Sequence, residues 1–475
     1  MKAGLYPVIG ALLILGVISG CSTHQISQVE PEVTLPDTYA HQAQESGAGE
    51  HMPARWWESF RDPELNALME RAFARNADLR QAVARLDQAL SLQKIQRADG
   101  LPTLNAKGAA ARSRELSAAG ANTGTTTGLS LSAAYEVDLW QKFSALNQAS
   151  RLDAQASRED LLGFYLFLSS QVADTYYRMV SHRAKLNLIQ ETITAREVIL
   201  AMVERRYREG TAAALDLYQA RQNLAAARAG QPDVAAELAV TSHALAVLTG
   251  DYPTTKLGEN EKLLPTLPET FPSGLPSDLL KQRPDIRGAM DRLKAADHRI
   301  AAAVADRFPS INLLAELGRS GMNFGSSVSG TAWSLAGNLF MPILDFGKRK
   351  AEVEKNQARH RELVAAYQKT VLSAFQEVED ALVLNRKGRE SLTRIGVEVT
   401  ASADALRLAR SNYLDGLSDY LPVLTAQTSY FDSQMREISA RTRIVQARIS
   451  LASALGGNWM DVQNRPAESA PHPKG

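Results

Sequence analysis

The side chains that could do chemistry are few and scattered. "ILDFGKRKAEVEKN" (343–356) carries an Asp-Phe-Gly triplet, the arrangement that supplies a magnesium-binding aspartate in protein kinases. That chemistry also needs a glycine-rich nucleotide loop and a His-Arg-Asp catalytic loop, and the sequence has neither. The eight histidines show no His-x-x-x-His or His-Glu-x-x-His spacing, so no metal site is expected. His41, His51 and Met52 read as part of a solvated linker. The lone cysteine, Cys21, closes the tetrad "ISGC" (18–21) behind the apolar run "VIGALLILGVISG" (8–20) and the basic Lys2. Thirteen residues fall short of the roughly 20 needed to span a bilayer and suit the core of a secretion signal. An aliphatic residue, two small residues and a cysteine match a bacterial lipoprotein processing site. Residues 1–20 are then removed, and Cys21 becomes an N-terminus acylated at its thiol and its amine, for example with palmitate. An ordinary signal peptide cut nearby is the alternative. Ser22 is not the aspartate that retains such lipoproteins at the inner membrane, which points to the outer one. No cofactor is expected beyond that covalent lipid.

The composition restricts the remaining choices. A formal net charge of +1 leaves no basic footprint for nucleic acid. A mean hydropathy of −0.22 excludes a polytopic helical membrane protein. The chain is also written twice. Asp78 and Asp285, Arg85 and Arg292, and Pro102 and Pro309 each stand 207 apart, and Tyr207 and Tyr413, like Gly210 and Gly416, stand 206 apart. The triplet has its own twin: Asp138 lies 207 before Asp345, but there Phe-Gly is Leu-Trp, so the kinase-like letters are not held even within the protein. Residues 21–55 read as an anchored N-terminal segment, 56–250 as the first repeat, 251–275 as a linker, 276–457 as the second repeat and 458–475 as a tail.

Each repeat contains a pair of alternating stretches, about 102–112 with 128–138, and about 309–318 with 333–344. Leu129, Leu131, Ala133, Tyr135 and Val137 share one face, and Trp333, Leu335, Leu339, Met341 and Ile343 another. Ten or so alternating residues can cross a bilayer as a tilted strand. The Gly/Ser/Thr/Asn-rich stretches 112–128 and 318–331 read as loops. Hairpins of a soluble sheet are the commoner use of such a pattern; the lipid anchor and the hydrophilic loops favour the membrane. Long helical runs follow, about 140–208 and 212–249, then 346–413 and 419–455. Val364, Tyr367, Val371, Phe375, Val378 and Leu382 form an apolar stripe, which weakens at Asn385–Gly388, where a bend or break is expected. Helices of this length require an elongated bundle or tube. Four strands cannot close a barrel, and open edges at membrane depth leave backbone groups unpaired. Two, three or four copies must therefore pool their strands. Asp138 and Asp345 sit where strand passes into helix, placed to cap the helix that follows.

With its lipobox, duplicated halves, "RPDI" (283–286), "FPSI" (308–311) and "ALGGNW" (454–459), the chain resembles the TolC family of outer-membrane efflux ducts, in its OprM-like, NodT-type lipoprotein subgroup, from about Trp56 to Trp459. The resemblance implies a mixed α and β fold, a long-helix α-barrel continuous with a transmembrane β-barrel, in a homotrimer with four strands from each copy. It also implies a lipid-anchored outer-membrane protein reaching into the periplasm, a periplasmic adaptor of the membrane-fusion class and an inner-membrane pump of the resistance-nodulation-division class. Such a duct conducts drugs or other small molecules passively and contributes to antibiotic resistance. A duct for type I protein secretion is the alternative. Asp216 and Tyr413 fall on the family's gate aspartate and tyrosine. Ser418 stands where an arginine would strengthen that gate, and Thr425, in "VLTAQ" (423–427), stands where relatives carry an aspartate. Losing that acid weakens the case for cation selectivity, unless Asp415 or Asp419 substitutes for it. Asp419 reads first as a helix N-cap ahead of Pro422, and ordinary packing is the competing role for Tyr413.

Overall fold

The computed structural model describes residues 39–40, 55–117, 120–255, 257, 264–265, 276–322 and 330–456. The signal segment, Cys21, His41, His51, Met52 and the tail 458–475 lie outside them. A 3₁₀ turn, Trp56–Phe60, leads into helices α1 (Pro63–Arg75) and α2 (Ala77–Asp99), strands β1 (Thr103–Ser117) and β2 (Gly120–Val137), and helices α3 (Lys142–Arg208) and α4 (Ala214–Leu248). The second repeat runs α5 (Pro276–Gln282), α6 (Pro284–Ala305), β3 (Ser310–Met322), β4 (Gly330–Phe340), α7 (Lys348–Leu414) and α8 (Leu421–Leu455). The duplication shows in the lengths: α3 and α7 are 67 residues each, and α4 and α8 are 35 each. No described helix is long and apolar enough to cross a membrane. The chain divides into two compact units.

The first unit, from Arg85–Arg158 and Gly288–Lys369, holds an antiparallel sheet in the order β1-β2-β3-β4. Its register is unbroken, from Thr103↔Ala134 to Ser117↔Gly120 in the first pair and from Ser310↔Phe340 to Ser320↔Gly330 in the last. Alternation therefore sorts every strand residue cleanly onto one face or the other. The strands run well into the stretches expected to be loops. Thr123, Thr125, Thr126 and Thr127 are β-branched and suit a strand although none of them is fully buried, so composition alone misread them. β4 stops earlier than expected, at Phe340. Pro342 has no N–H to give a ladder, and Phe346 and Gly347 take positive φ (51° and 88°) to turn the chain into α7.

At these turns the two repeat aspartates accept backbone hydrogen bonds. Asp138 accepts from Phe143 N (3.0 Å) and Ser144 N (2.8 Å). Asp345 accepts from Gly347 N (3.0 Å) and Arg349 N (3.2 Å). Each satisfies amides that a helix start leaves without partners. Trp140 braces the same place, stacking on Phe308 at 4.8 Å and donating Nε1–H to Pro309 O at 2.8 Å.

The second unit comprises the described parts of Val33–Ala84, Glu159–Arg287 and Thr370–Gly475. Its core includes Trp56, Phe60, Leu65, Met69, Tyr176 and Tyr177. Repeat-equivalent residues close the ends of the two shorter long helices. Asn76 Nδ2 donates to Leu248 O (2.9 Å), and Arg283, 207 residues on, donates to Ala454 O (2.8 Å). Gly250 ends the first of these at φ +74, where a Cβ would lie 2.5 Å from Arg75 O. The break expected at Asn385–Gly388 is absent, since α7 is continuous there. Asn385 is buried and accepts from Arg448 Nε (2.9 Å), and a Cβ on Gly388 would meet Ile444 Cγ1 at 2.9 Å. What looked like a weakened stripe is a tight polar seam between α7 and α8.

Candidate gate at the helix turns

Four helix ends meet in the second unit. Ile199 and Val203 come from α3, Leu217 and Ala220 from α4, Tyr413 from α7, and Val423 from α8 with Tyr420 just before it; together they form one buried cluster. Both long helices stop in the same way. Gly210 and Gly416 take φ of 74° and 72°. Gly416 N donates to Tyr413 O (3.2 Å) and Leu417 N to Asn412 O (2.8 Å); Gly210 N and Thr211 N do likewise to Tyr207 O and Arg206 O. This is the left-handed glycine cap that consumes the last orphan carbonyls of a helix.

The repeats then diverge. Tyr207 is 44% exposed, whereas its twin Tyr413 is 3% exposed. Tyr413 meets Tyr420 edge-on at 5.7 Å, and the guanidinium of Arg206 lies 4.8 Å over its ring. Arg206 Nη1 also donates to Tyr413 O (2.5 Å) and Leu414 O (3.2 Å), so the end of α3 caps the end of α7. Burial raises the Tyr413 phenol above its ordinary pKa, helped by the charge of Asp216 and opposed by Arg206. The hydroxyls of Tyr413 and Ser418 are buried with no hydrogen-bond partner among the described residues.

The other sequence candidates occupy different environments. Asp216 lies in the first turn of α4 and is half-buried. Thr425 is exposed and bonds back to Leu421 O (3.0 Å). Asp419 is not the N-cap expected of it: Tyr420 holds that position, with no side-chain cap bond. Pro422 sets the first turn at 421–422, which leaves the Asp419 carboxylate one residue too early. Sequence reasoning missed Arg206 and a polar joint farther along the helices. There Arg196 donates to Asn223 O (2.7 Å) and Asn223 Nδ2 to Gln427 Oε1 (3.3 Å), all three buried. Polar side chains interrupting the Leu217–Ala220–Leu224 face were the available signal. Among the described residues no group of side chains could hold a metal ion.

A family model for outer membrane efflux proteins matches residues 68–251 and 275–457. The chain is 32% identical over 462 residues to the solvent efflux pump outer membrane protein SrpC of Pseudomonas putida, covering 96% of this chain and 98% of that one. Its structure resembles that of the outer-membrane channel OprN, with TM-score 0.86, 26% identity, 92% of this chain and 100% of the other. It also resembles the open state of the MtrE outer membrane channel of Neisseria gonorrhoeae, with TM-score 0.81, 28% identity, 92% of this chain and 98% of the other.

Proposed function

The chain belongs to the outer membrane efflux protein family, and on that premise we propose that three copies assemble into one exit duct, each giving its four strands to a closed barrel. The protein is an outer-membrane channel component of an efflux pump and not an enzyme. One observation carries the assembly: in a single chain β1 and β4 are the open edges of the sheet, and Trp333, Leu335 and Leu339 are exposed on its apolar face. Open edges are not tolerated at membrane depth, so neighbouring copies complete the ladder. A periplasmic adaptor and an inner-membrane pump, of the resistance-nodulation-division class, deliver the cargo. Small molecules rather than proteins are that cargo, supported by the likeness to a solvent efflux component.

The helix turns are the gate in this reading. The unpartnered hydroxyls of Tyr413 and Ser418 find acceptors on a neighbouring copy, with Asp216 foremost. Asp138 and Asp345 are the joints between membrane strand and periplasmic helix, and a lipid on Cys21 anchors the mature N-terminus. The test is single-channel recording on the purified protein, with its mass measured in detergent. A trimer with a low conductance that rises in Asp216→Ala or Tyr413→Phe is expected; a complex that never conducts rejects the duct, and variants indistinguishable from wild type reject the gate. Metabolic labelling with palmitate should disappear in Cys21→Ala, and label that persists rules out the anchor.

A further inference from the structure

We propose that the outer rim of the sheet binds a phosphate-bearing glycolipid of the outer leaflet through Arg112, Arg114 and Arg319. This rests on the barrel reading above. The unbroken register puts Leu104, Ala106, Gly108 and Ala110 of β1 on one face with Leu129, Leu131, Ala133, Tyr135 and Val137 of β2. The same face continues through Ile311, Leu313, Ala315 and Leu317 of β3 to Trp333, Leu335 and Leu339 of β4. It holds no acidic residue on any of the four strands. The three arginines all stand on it, all toward the hairpin end and away from the helices.

Their positions follow the edge of the apolar band. Arg319 is the next residue on that face after Leu317, in one row with Gly108, Leu129 and Thr331. Arg112 is the next after Ala110 and pairs with Thr125; Arg114 follows, opposite Thr123. The band gives way on β4 to Thr331, in the row of Arg319, and on β2 to Thr127, one row farther out beside Ala110; Trp333 lies just inside, as a membrane-interface aromatic would. The three arginines are exposed, and among the residues whose side chains are described they form no ion pair. The acids nearest in the sheet, Glu115 next to Arg114 on β1 and Glu316 on β3, hold register positions of the opposite face, the one that carries Lys107, Ser130 and Ser132.

An arginine facing hydrocarbon is costly at mid-membrane and nearly free at the interface. There its planar fork pairs two-to-two with a phosphate. Three guanidiniums of one sign, placed where the band ends on a face that carries no acid, call for an anionic headgroup. Neutral or zwitterionic lipids would supply only water or one matched charge.

The probe is bisphosphorylated lipid A, titrated against the full-length protein in nanodiscs and counted by native mass spectrometry. Wild type should bind it, and Arg112→Gln/Arg114→Gln/Arg319→Gln should bind on the order of a hundredfold more weakly. Lys107→Ala, on the other face of β1, should not differ from wild type. Enzymatically dephosphorylated lipid A should bind wild type as weakly as the triple variant binds the intact lipid. This comparison needs no variant to fold. Equal affinity for the two lipids, or full binding by the triple variant, overturns the proposal and shows arginines that merely reach for water. Conductance recorded on the same samples separates the two readings. A conducting triple variant that keeps lipid A refutes the rim alone, and a wild type that binds lipid by its phosphates but never conducts refutes the duct alone.

Discussion

Removing the Arg206 side chain should loosen the helix turns without unfolding the chain. Arg206 gives two charge-assisted bonds to the end of α7, at 2.5 and 3.2 Å, and a cation–π contact at 4.8 Å. Tyr413 O keeps the glycine-cap bond from Gly416 N after the change, so only Leu414 O loses its donor outright. A bond to a charged group contributes about 1.5–3 kcal/mol net and a cation–π contact at a half-exposed site about 0.5–1 kcal/mol. Arg206 is only half-buried, which favours the low end and makes the total about 2 kcal/mol. That is roughly a thirtyfold change in a closed-to-open ratio, enough to take an open fraction of about 1% to about a quarter. Single-channel recording of Arg206→Ala reads that fraction directly. Arg206→Lys, which keeps the charge but not the planar fork, should fall between. If Arg206→Ala lowers the melting temperature while its open time equals that of wild type, the contact holds the fold and not the gate, and the reasoning fails.

Four further substitutions probe single sites. Gly388→Ala should cost about 1 kcal/mol, since overpacking against Ile444 at about 1–3 kcal/mol outweighs the helix gain of up to about 1 kcal/mol. Gly396→Ala, in the same helix with nothing within 4 Å, should stabilise by about 0.5–1 kcal/mol; denaturant midpoints moving in the same direction would sink that account of the seam. Burial lowers the pKa of His182, with Lys185 and Arg178 adding to it and Glu237 (3.1 Å away on α4) opposing it. The unfolded chain therefore takes up this proton first as pH falls. The stability due to neutral His182 is present above about pH 6.5 and is lost as pH drops through the lower folded value. Melting curves between pH 7.5 and 4.5 should show less acid loss in His182→Gln, and parallel curves contradict it. Finally, Thr425→Asp should place one new carboxylate per copy at the tip, and reversal potentials in a salt gradient should shift toward cations; an unmoved potential would show that position 425 does not line the constriction.

Much of the architecture can be read without coordinates because the duplication repeats its own signals. Helix ends at Gly210 and Gly416, apolar alternation at Leu129–Val137, and aspartates at 138 and 345 each occur twice, and the second occurrence checks the first. What could not be read involves residues whose partners lie far along the chain. Arg206 finds its acceptors at Tyr413 and Leu414, about 207 positions away, and no local period marks such a pair. The upper strands fail for another reason: Thr123 to Thr127 have β propensity but no apolar face, so a search for burial passes over them. The supposed break at Asn385–Gly388 combines both causes, and the repeat itself explains it. His182 in α3 and Glu237 in α4 hold the places that Gly388 and Ile444 hold in the second repeat, 206 and 207 residues on. One helix pair meets there through His182 Nδ1 lying 3.1 Å from a carboxylate oxygen of Glu237, the other through a glycine with no room for a methyl group. The position is a helix–helix contact in both repeats. Its identity follows from what sits opposite, and a one-dimensional apolar stripe does not record that.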